Sequence, residues 1–426
     1  MTVVAVFLVT LFGTLALGVP VAFALMFCGI VLMMFMGMFN AQILSQNMIS
    51  GANTFTLLAI PFFLLAGELM NAGGLSKRIV NFAITLVGHI RGGLGIVAII
   101  AAVIMASLSG SAAADSAALA AILIPMMRQA GYNVPRAAGL MAAGGVIAPV
   151  IPPSIAFIIF GVAANVSITG LFMGGIVPGL MMAISLLVVW MFVARKENVQ
   201  PLPKCSGRER LVATGRAVWA LMMPVIILGG IRFGIFTPTE AAVIAAVYAF
   251  FVGMVIYREL KFAHLYHVLL GAAKTTSVVL FLVAAALVTS WLITRANIPN
   301  EIGRFLEPLI DRPQLLMLVI VILVLLMGTV LDLAPTILIL SPVLMPIVRA
   351  AGIDPVYFGV VFVMTTCIGL LSPPVGVVLN VVSGVARVPL GQVIVGVMPF
   401  LLAQIAVLAL LVAFPDIVLV PLSYLR

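Results

Sequence analysis

The chain has 426 residues, of which 64% are hydrophobic and 8% charged, with a formal net charge of +9. Soluble domains carry about 25% charged residues, so too few polar side chains are present to coat a water-soluble core. Lys and Arg fall in short loops between apolar runs, which points away from nucleic acid and toward topology setting at a lipid bilayer.

At about 20 residues per crossing, the length allows roughly ten or more spans. Residues 3–36 form one apolar run with Gly18-Val19-Pro20 inside it, expected as a single kinked or broken helix because proline removes a backbone hydrogen bond. No basic leader or cleavage site precedes this run, so it is expected as a retained span rather than a signal peptide. Residues 54–72 make a second span, 77–91 an amphipathic arm, and 92–107 a further span.

From Ser107 to Ser154 the chain stays apolar but is broken twice. Ser107, Ser109, Gly110, Ser111 and Asp115 crowd one bend; Pro149, Pro152 and Pro153 crowd the other. Such a segment is expected as a re-entrant hairpin followed by a broken helix, because non-helical backbone at membrane depth is tolerated only against protein or a wet cavity. A short half-helix over 154–165 and a span over 171–193 close this half. The basic stretch 195–216 is the one substantial hydrophilic linker, expected on the cytoplasmic side.

The second half restates the first. The phrase LIPMMRQAG at 123–131 returns as LMPIVRAAG at 344–352, a shift of 346 − 125 = 221 residues, and Pro152-Pro153 returns as Pro373-Pro374. The expected organisation is an all-α polytopic membrane protein: a first repeat over 1–195, a linker over 196–216, and a second repeat over 217–426. Forty residues at 217–256 allow two spans or one broken helix. The repeat favours the broken helix and an antiparallel pair of halves. The charged 300–312 is expected as an extramembrane turn before the second hairpin, 313–350.

Paired interrupted segments in matching positions of two halves point to a transporter's binding site. Chain breaks free carbonyls that suit a hard cation such as sodium, and half-helix N-termini favour anions. One cation site is expected at Ser107, Gly110, Ala148, Ile151 and Pro153, the other at Gly328, Gly369, Ser372 and Val375. Small residues at these places also serve plain helix packing, but their doubling argues for more. Candidate solute contacts are Ser111, Asp115, Ser154, Glu240 and Arg295. Asp115 and Glu240 suit helix capping equally well, and Arg295 suits snorkelling at a span end. The three cysteines (Cys28, Cys205, Cys367) lack CxxC spacing, and no GxxxxGK[ST], GxGxxG or HExxH occurs. Neither an enzyme nor a nucleotide-driven pump is expected. No cofactor beyond the coupling ions is expected.

The phrases TLLAIPFFLLAGELMN, SGSAAADSAAL, IPPSIAFIIFG and GIFTPTEAA, in order along the chain, resemble the large membrane subunit of tripartite ATP-independent periplasmic (TRAP) transporters. The resemblance implies an elevator-type transporter of the bacterial inner membrane, whose scaffold surrounds a transport domain of two hairpins and two broken helices. It also implies sodium-driven uptake of a carboxylated solute, such as a sugar acid, keto acid or dicarboxylate. The partners implied are a small four-helix membrane subunit, expected here as a separate chain, and a periplasmic binding protein that delivers the solute. The family's carbonyl-rich sodium sites fall on the two sets above, with Ala148 where glycine is more usual. A stand-alone sodium/dicarboxylate symporter of similar architecture is the alternative. A scaffold or channel without coupled transport is a third, and it would have no need of two symmetric ion sites.

Overall fold

The structure is a computed structural model that describes residues 2–195, 197, 199, 201–298, 301 and 309–425. Every regular element among them is helical, and seven helices are long and apolar enough to cross a bilayer. Helices are the natural outcome, because hydrocarbon offers no partner for an unpaired backbone group.

The first five helices are α1 (Thr2–Ala16), α2 (Val21–Phe35), α3 (Ala41–Ala52), α4 (Ala59–Ala72) and α5 (Leu75–Val87). The expected single broken helix over 3–36 is instead two helices packed on each other. Gly18 at φ +78° turns the chain between them. Asn40 accepts backbone N–H bonds from Gln42 and Ile43 and so starts α3, which the apolar pattern did not announce. The expected arm is α5, which buries Ile79, Val80 and Ala83 along one side. Pro61 lies in the first turn of α4, where no hydrogen bond is lost, so that helix runs on unbroken.

The broken region follows as α6 (Gly93–Ser109), α7 (Ala112–Gln129), α8 (Val134–Gly145), α9 (Ile155–Ala164) and α10 (Ile168–Ala194). Its counterpart is α14 (Pro313–Gly328), α15 (Leu333–Ala350), α16 (Pro355–Gly369), α17 (Val377–Ala386) and α18 (Leu390–Ala413), with α19 (Asp416–Leu425) last. Helix starts recur at the sequence shift (333 − 112 = 355 − 134 = 221). Both Pro-Pro bonds, Pro152–Pro153 and Pro373–Pro374, are cis.

Between these sets lie α11 (Gly207–Arg232), α12 (Pro238–Phe251), prolonged by a π turn to Ile256, and α13 (Phe262–Arg295). This corrects the expectation for 217–256. The region is two packed helices, each long enough to span, not one broken rod. Thr237 and Glu240 form a reciprocal capping box that starts the second. The linker is also shorter than its composition suggests, since from Gly207 it is already α11. Its first part is docked: Glu197 pairs with Arg136 of α8 at 2.9 Å, Arg91 donates to the Arg195 carbonyl at 3.1 Å, and Leu202 N donates to Gly88 O at 3.2 Å. Most of the charged 300–312 lies outside the described residues.

Helices α1–α5 and α11–α13 pack chiefly among themselves, with α4 on α12 and α13 against α2, α3 and α4. The hairpins and broken helices gather around α10 and α18. Helices in lipid gain little from hydrophobic association and depend on close packing of small residues. An added Cβ on Gly396 of α18 would lie 2.2 Å from the Pro135 carbonyl oxygen of α8, and one on Gly139 would lie 2.5 Å from Val397 N. Gly95 lies flat under the buried Trp190 ring, whose Nε1 donates to the Gly92 carbonyl at 2.8 Å.

The contrast between crowded and open glycines is testable. Gly396→Ala should destabilise the detergent-solubilised protein by about 1–3 kcal/mol, because backbone blocks the new methyl. Gly215→Ala, in mid-helix with nothing within 4 Å, should stabilise by up to about 1 kcal/mol. Thermal midpoints measure both, and a neutral Gly396→Ala would refute the close α8–α18 contact.

Candidate functional site

At the first bend α6 stops at Gly110, whose φ of +61° is open to glycine at little cost. Ser111 then caps α7 by accepting from Ala114 N at 3.4 Å. The bend abuts the start of α9: a Cβ on Gly110 would sit 3.2 Å from both the Pro153 carbonyl oxygen and Ile155 N. Beside it, the end of α8 touches the start of α7, where Gly145 leaves room for the Ser116 hydroxyl. The C-terminal ends of α6 and α8 thus meet the N-terminal ends of α7 and α9.

The second bend is packed more tightly, with two helix C-terminal ends in direct backbone contact. A Cβ on Gly369, at the end of α16, would lie 2.7 Å from the carbonyl carbon and Cα of Gly328, at the end of α14. One on Gly328 would lie 3.1 Å from the Thr366 carbonyl oxygen. Asp332 starts α15 by accepting from Leu333 N at 2.8 Å.

Helix C-termini carry partial negative charge and carbonyls without intrahelical partners, and N-termini carry the opposite. The first bend therefore places two cation-favouring ends beside two anion-favouring ends, and the second brings two cation-favouring ends together. Among the described residues no three His, Cys, Asp or Glu side chains converge, so carbonyl oxygens are the donors at hand for a cation.

The structure brings Gly110 together with Pro153 and Ser154, and Gly328 with Gly369. Ser107 is buried and donates to the Ile104 carbonyl at 2.7 Å. Ala148 is buried in the break, and the Ile151 side chain packs on Gly179, so either could offer a cation only its carbonyl. Ser372 donates to the Ile368 carbonyl at 3.1 Å. The Val375 carbonyl already accepts from Asn380 Nδ2 at 2.6 Å. Ser154 caps α9, accepting from Phe157 N at 3.2 Å, while its hydroxyl donates to the Pro149 carbonyl.

Three candidate solute contacts read differently in the structure. Asp115 is not the cap of α7, because Ser111 holds that place. It lies 2% exposed in the first turn. Its Oδ1 accepts from the Ser109 hydroxyl, and its Oδ2 has no partner among the described residues. Glu240 is occupied by the Thr237 backbone and hydroxyl, both at 2.8 Å, at the start of α12. It belongs to that helix start and to neither bend. Arg295 ends α13 on an exposed turn, and none of its hydrogen bonds or ion pairs among the described residues reaches a bend.

Sequence reasoning passed over Thr366 and Ser116, which are fully buried at the bends. It also passed over Arg128 and Arg349, although both sit inside the repeated nonapeptide that revealed the two halves.

This geometry has counterparts among known proteins. The family model described as "Tripartite ATP-independent periplasmic transporter, DctM component" matches residues 8–417. The chain belongs to this family. It is therefore a multi-pass transport permease of the bacterial inner membrane rather than an enzyme, from a family whose large subunits work with a small membrane subunit and a periplasmic binding protein. It is 55% identical, over 99% of its length and 100% of the relative's, to the 2,3-diketo-L-gulonate TRAP transporter large permease protein YiaN of Escherichia coli (strain K12). It is 41% identical, over 96% and 95%, to the sialic acid TRAP transporter large permease protein SiaM of Vibrio cholerae serotype O1. In fold it is similar to the crystal structure of the YdaH transporter from Alcanivorax borkumensis, with a TM-score of 0.64, 15% identity, and coverage of 88% and 87% of the two chains.

The reassignment of Glu240 can be checked in the reconstituted TRAP permease. Glu240→Ala should lower the thermal midpoint by unfastening the start of α12 and leave uptake per folded molecule unchanged. Lost uptake at unchanged stability would return Glu240 to the solute path.

Proposed function

We propose that this TRAP permease couples inward sodium flow to uptake of a carboxylated organic solute, handed over by a periplasmic binding protein. The observation that carries the proposal is the doubled bend: helix C-termini meet in backbone contact at Gly328 and Gly369, while the C-terminal ends at Gly110 and Gly145 lie against the starts of α9 and α7. Carbonyls freed in hydrocarbon need a partner, and sodium is a hard cation that carbonyls suit. Site 1 is Ser107, Gly110, Ala148, Ile151 and Pro153, with the open Oδ2 of Asp115 adding anionic character nearby. Site 2 is Gly328, Gly369 and Ser372, beside the Thr366 carbonyl, which also accepts from Leu370 N at 3.1 Å. The Val375 carbonyl is held by the Asn380 side chain at 2.6 Å, and the Gly369 carbonyl by Ser372 N at 2.8 Å, so each would share its oxygen with a bound cation.

The solute's carboxylate belongs at the N-termini of α7, α9, α15 and α17, where amide groups and helix dipoles favour an anion. Ser111 and Ser154 stand at two of these starts. Arg295, exposed at a span end, is not needed for this role. The 2,3-diketo-L-gulonate and sialic acid relatives both take their names from carboxylic acids, and the 55% identity to the first supports a sugar-derived acid here.

Movement of the hairpin-bearing helices against α1–α5 and α11–α13 would carry both sites across the membrane together, as an elevator. An antiparallel arrangement of the halves supports this. With the hairpins re-entrant, α1, α2, α4, the α8–α9 pair and α10 make five crossings, and α11, α12, α13, the α16–α17 pair and α18 make five more. An odd number in the first half turns the second upside down.

The test is uptake by proteoliposomes holding both membrane subunits and supplied with the binding protein, measured against sodium concentration. Gly328→Val and Gly369→Val should each raise half-saturating sodium by roughly tenfold, about 1.4 kcal/mol, and lower sodium cooperativity. Ser107→Ala should be milder, because it keeps the carbonyl. Unaltered cooperativity in well-folded valine variants would sink the two-site model. Full uptake without the binding protein would favour a stand-alone symporter.

A further inference from the structure

The half-helices α9 and α17 have 10 residues each, shorter than the roughly 12–15 at which isolated helices become even marginal in water. Something outside each must fix its direction. Both end in a left-handed residue that is not glycine, Asn165 at φ +52° and Arg387 at φ +54°. Those residues' own N–H groups return to the Gly161 and Ser383 carbonyls, which leaves the last carbonyls of each half-helix free to accept from elsewhere.

Two arginines, 349 − 128 = 221 residues apart, take those carbonyls. Arg128, in the last turn of α7, donates from Nη2 to the Ala386 carbonyl of α17 at 2.7 Å. Arg349, in the last turn of α15, donates from Nη2 to the carbonyls of Ala164 at 3.1 Å and Asn165 at 3.3 Å, at the end of α9. Each arm packs along the half-helix it holds, α7 on α17 and α15 on α9. Since their last turns meet, the two members of each pair run in the same direction.

Parallel neighbours place two negative helix ends side by side, an arrangement that a cation at the shared end offsets. Arg128 and Arg349 occupy those shared ends. Both bonds also cross between the repeats: the hairpin of cation site 1 is fastened to the half-helix of site 2, and the hairpin of site 2 to the half-helix of site 1.

We propose that Arg128 and Arg349 are positioning residues that key each cation site to the other, so that ordering one bend orders the half-helix of its counterpart. They touch neither ion nor solute. Each acts from the far end of a half-helix and sets where its N-terminus lies. The proposal rests on the sodium-coupled function above and adds an origin for sodium cooperativity.

Two measurements test it. The first needs no transport: amide hydrogen exchange of the purified protein in lipid nanodiscs. Arg128→Gln should speed exchange within Val377–Ala386, and Arg349→Gln within Ile155–Ala164, each by roughly tenfold or more. Arg→Lys at either position, which keeps the cation and a donor, should restore most of the protection. Unchanged exchange in both Gln variants would overturn the latch.

The second is sodium-dependent uptake by the complete reconstituted system, on variants whose thermal midpoints stay near wild type. The Gln variants should lose sodium cooperativity and raise half-saturating sodium several-fold, and the Lys variants should recover both. A sodium-dependent wild type with equally cooperative Gln variants would overturn the coupling role alone. A sodium-indifferent wild type would overturn the transport proposal and the coupling role with it, while the exchange measurement would still decide whether the arginines hold the half-helices.

Discussion

A carbonyl oxygen released from a helix inside hydrocarbon must find another partner, and this requirement governs the whole molecule. Helices are interrupted at matched places in the two halves, and each interruption leaves carbonyls with no intrahelical donor. Some are taken by hydroxyls, as at Pro149 by Ser154 and at Ile368 by Ser372. Others are taken by an amide or guanidinium, as at Val375 and Ala386. The remainder lie at the two bends, where α6 ends against the start of α9 and where α14 meets α16.

Close approach of backbone to backbone makes those gatherings compact, and small residues make the approach feasible. Gly328 against Gly369, and Gly139 and Gly396 between α8 and α18, leave no room for a methyl group. In lipid such contacts carry much of the association between helices. Packing and ion binding therefore draw on the same residues, and the two roles separate by what a substitution alters, fold or ion dependence. Asp115 is the exception. A buried carboxylate with one oxygen unpartnered contributes little to packing.

Much of this was legible in the chain. Gly, Pro, Ser and Asp inside apolar runs mark breaks because each has a local reason to be there, and the 221-residue shift paired the two bends before any fold was known. Gly328 and Gly369 belong to one expected site because both fall at breaks of the same half, and the structure places them in contact. What escaped had weaker or misread signals. For 217–256 the repeat favours one broken helix over two spans, although Thr237-Pro238-Thr239-Glu240 spells a capping box, the mark of a fresh helix start. The same box explains why Glu240, suspicious as a carboxylate in an apolar stretch, is occupied by its own helix. Helix α3 escaped because its moderate apolarity resembles a loop. Arg128 and Arg349 lie within the repeated nonapeptide but carry no sequence signal of their role, since contacts more than 180 residues apart leave no local trace.

The docked linker has a mechanical consequence. Glu197 is fastened to Arg136 of α8, and the Leu202 amide is fastened to Gly88 at the end of α5, so little slack remains before α11 begins at Gly207. Because α5 belongs with α11 and Glu197 is held on α8, the free stretch between the hairpin-bearing helices and the rest runs from Glu197 to Leu202, 202 − 197 = 5 residue steps, a fully stretched reach of about 17–18 Å. Those few residues form the leash between the two halves of the polypeptide. If the hairpin-bearing helices travel past α11, the leash caps the stroke, and any longer excursion must first unfasten Leu202 from Gly88.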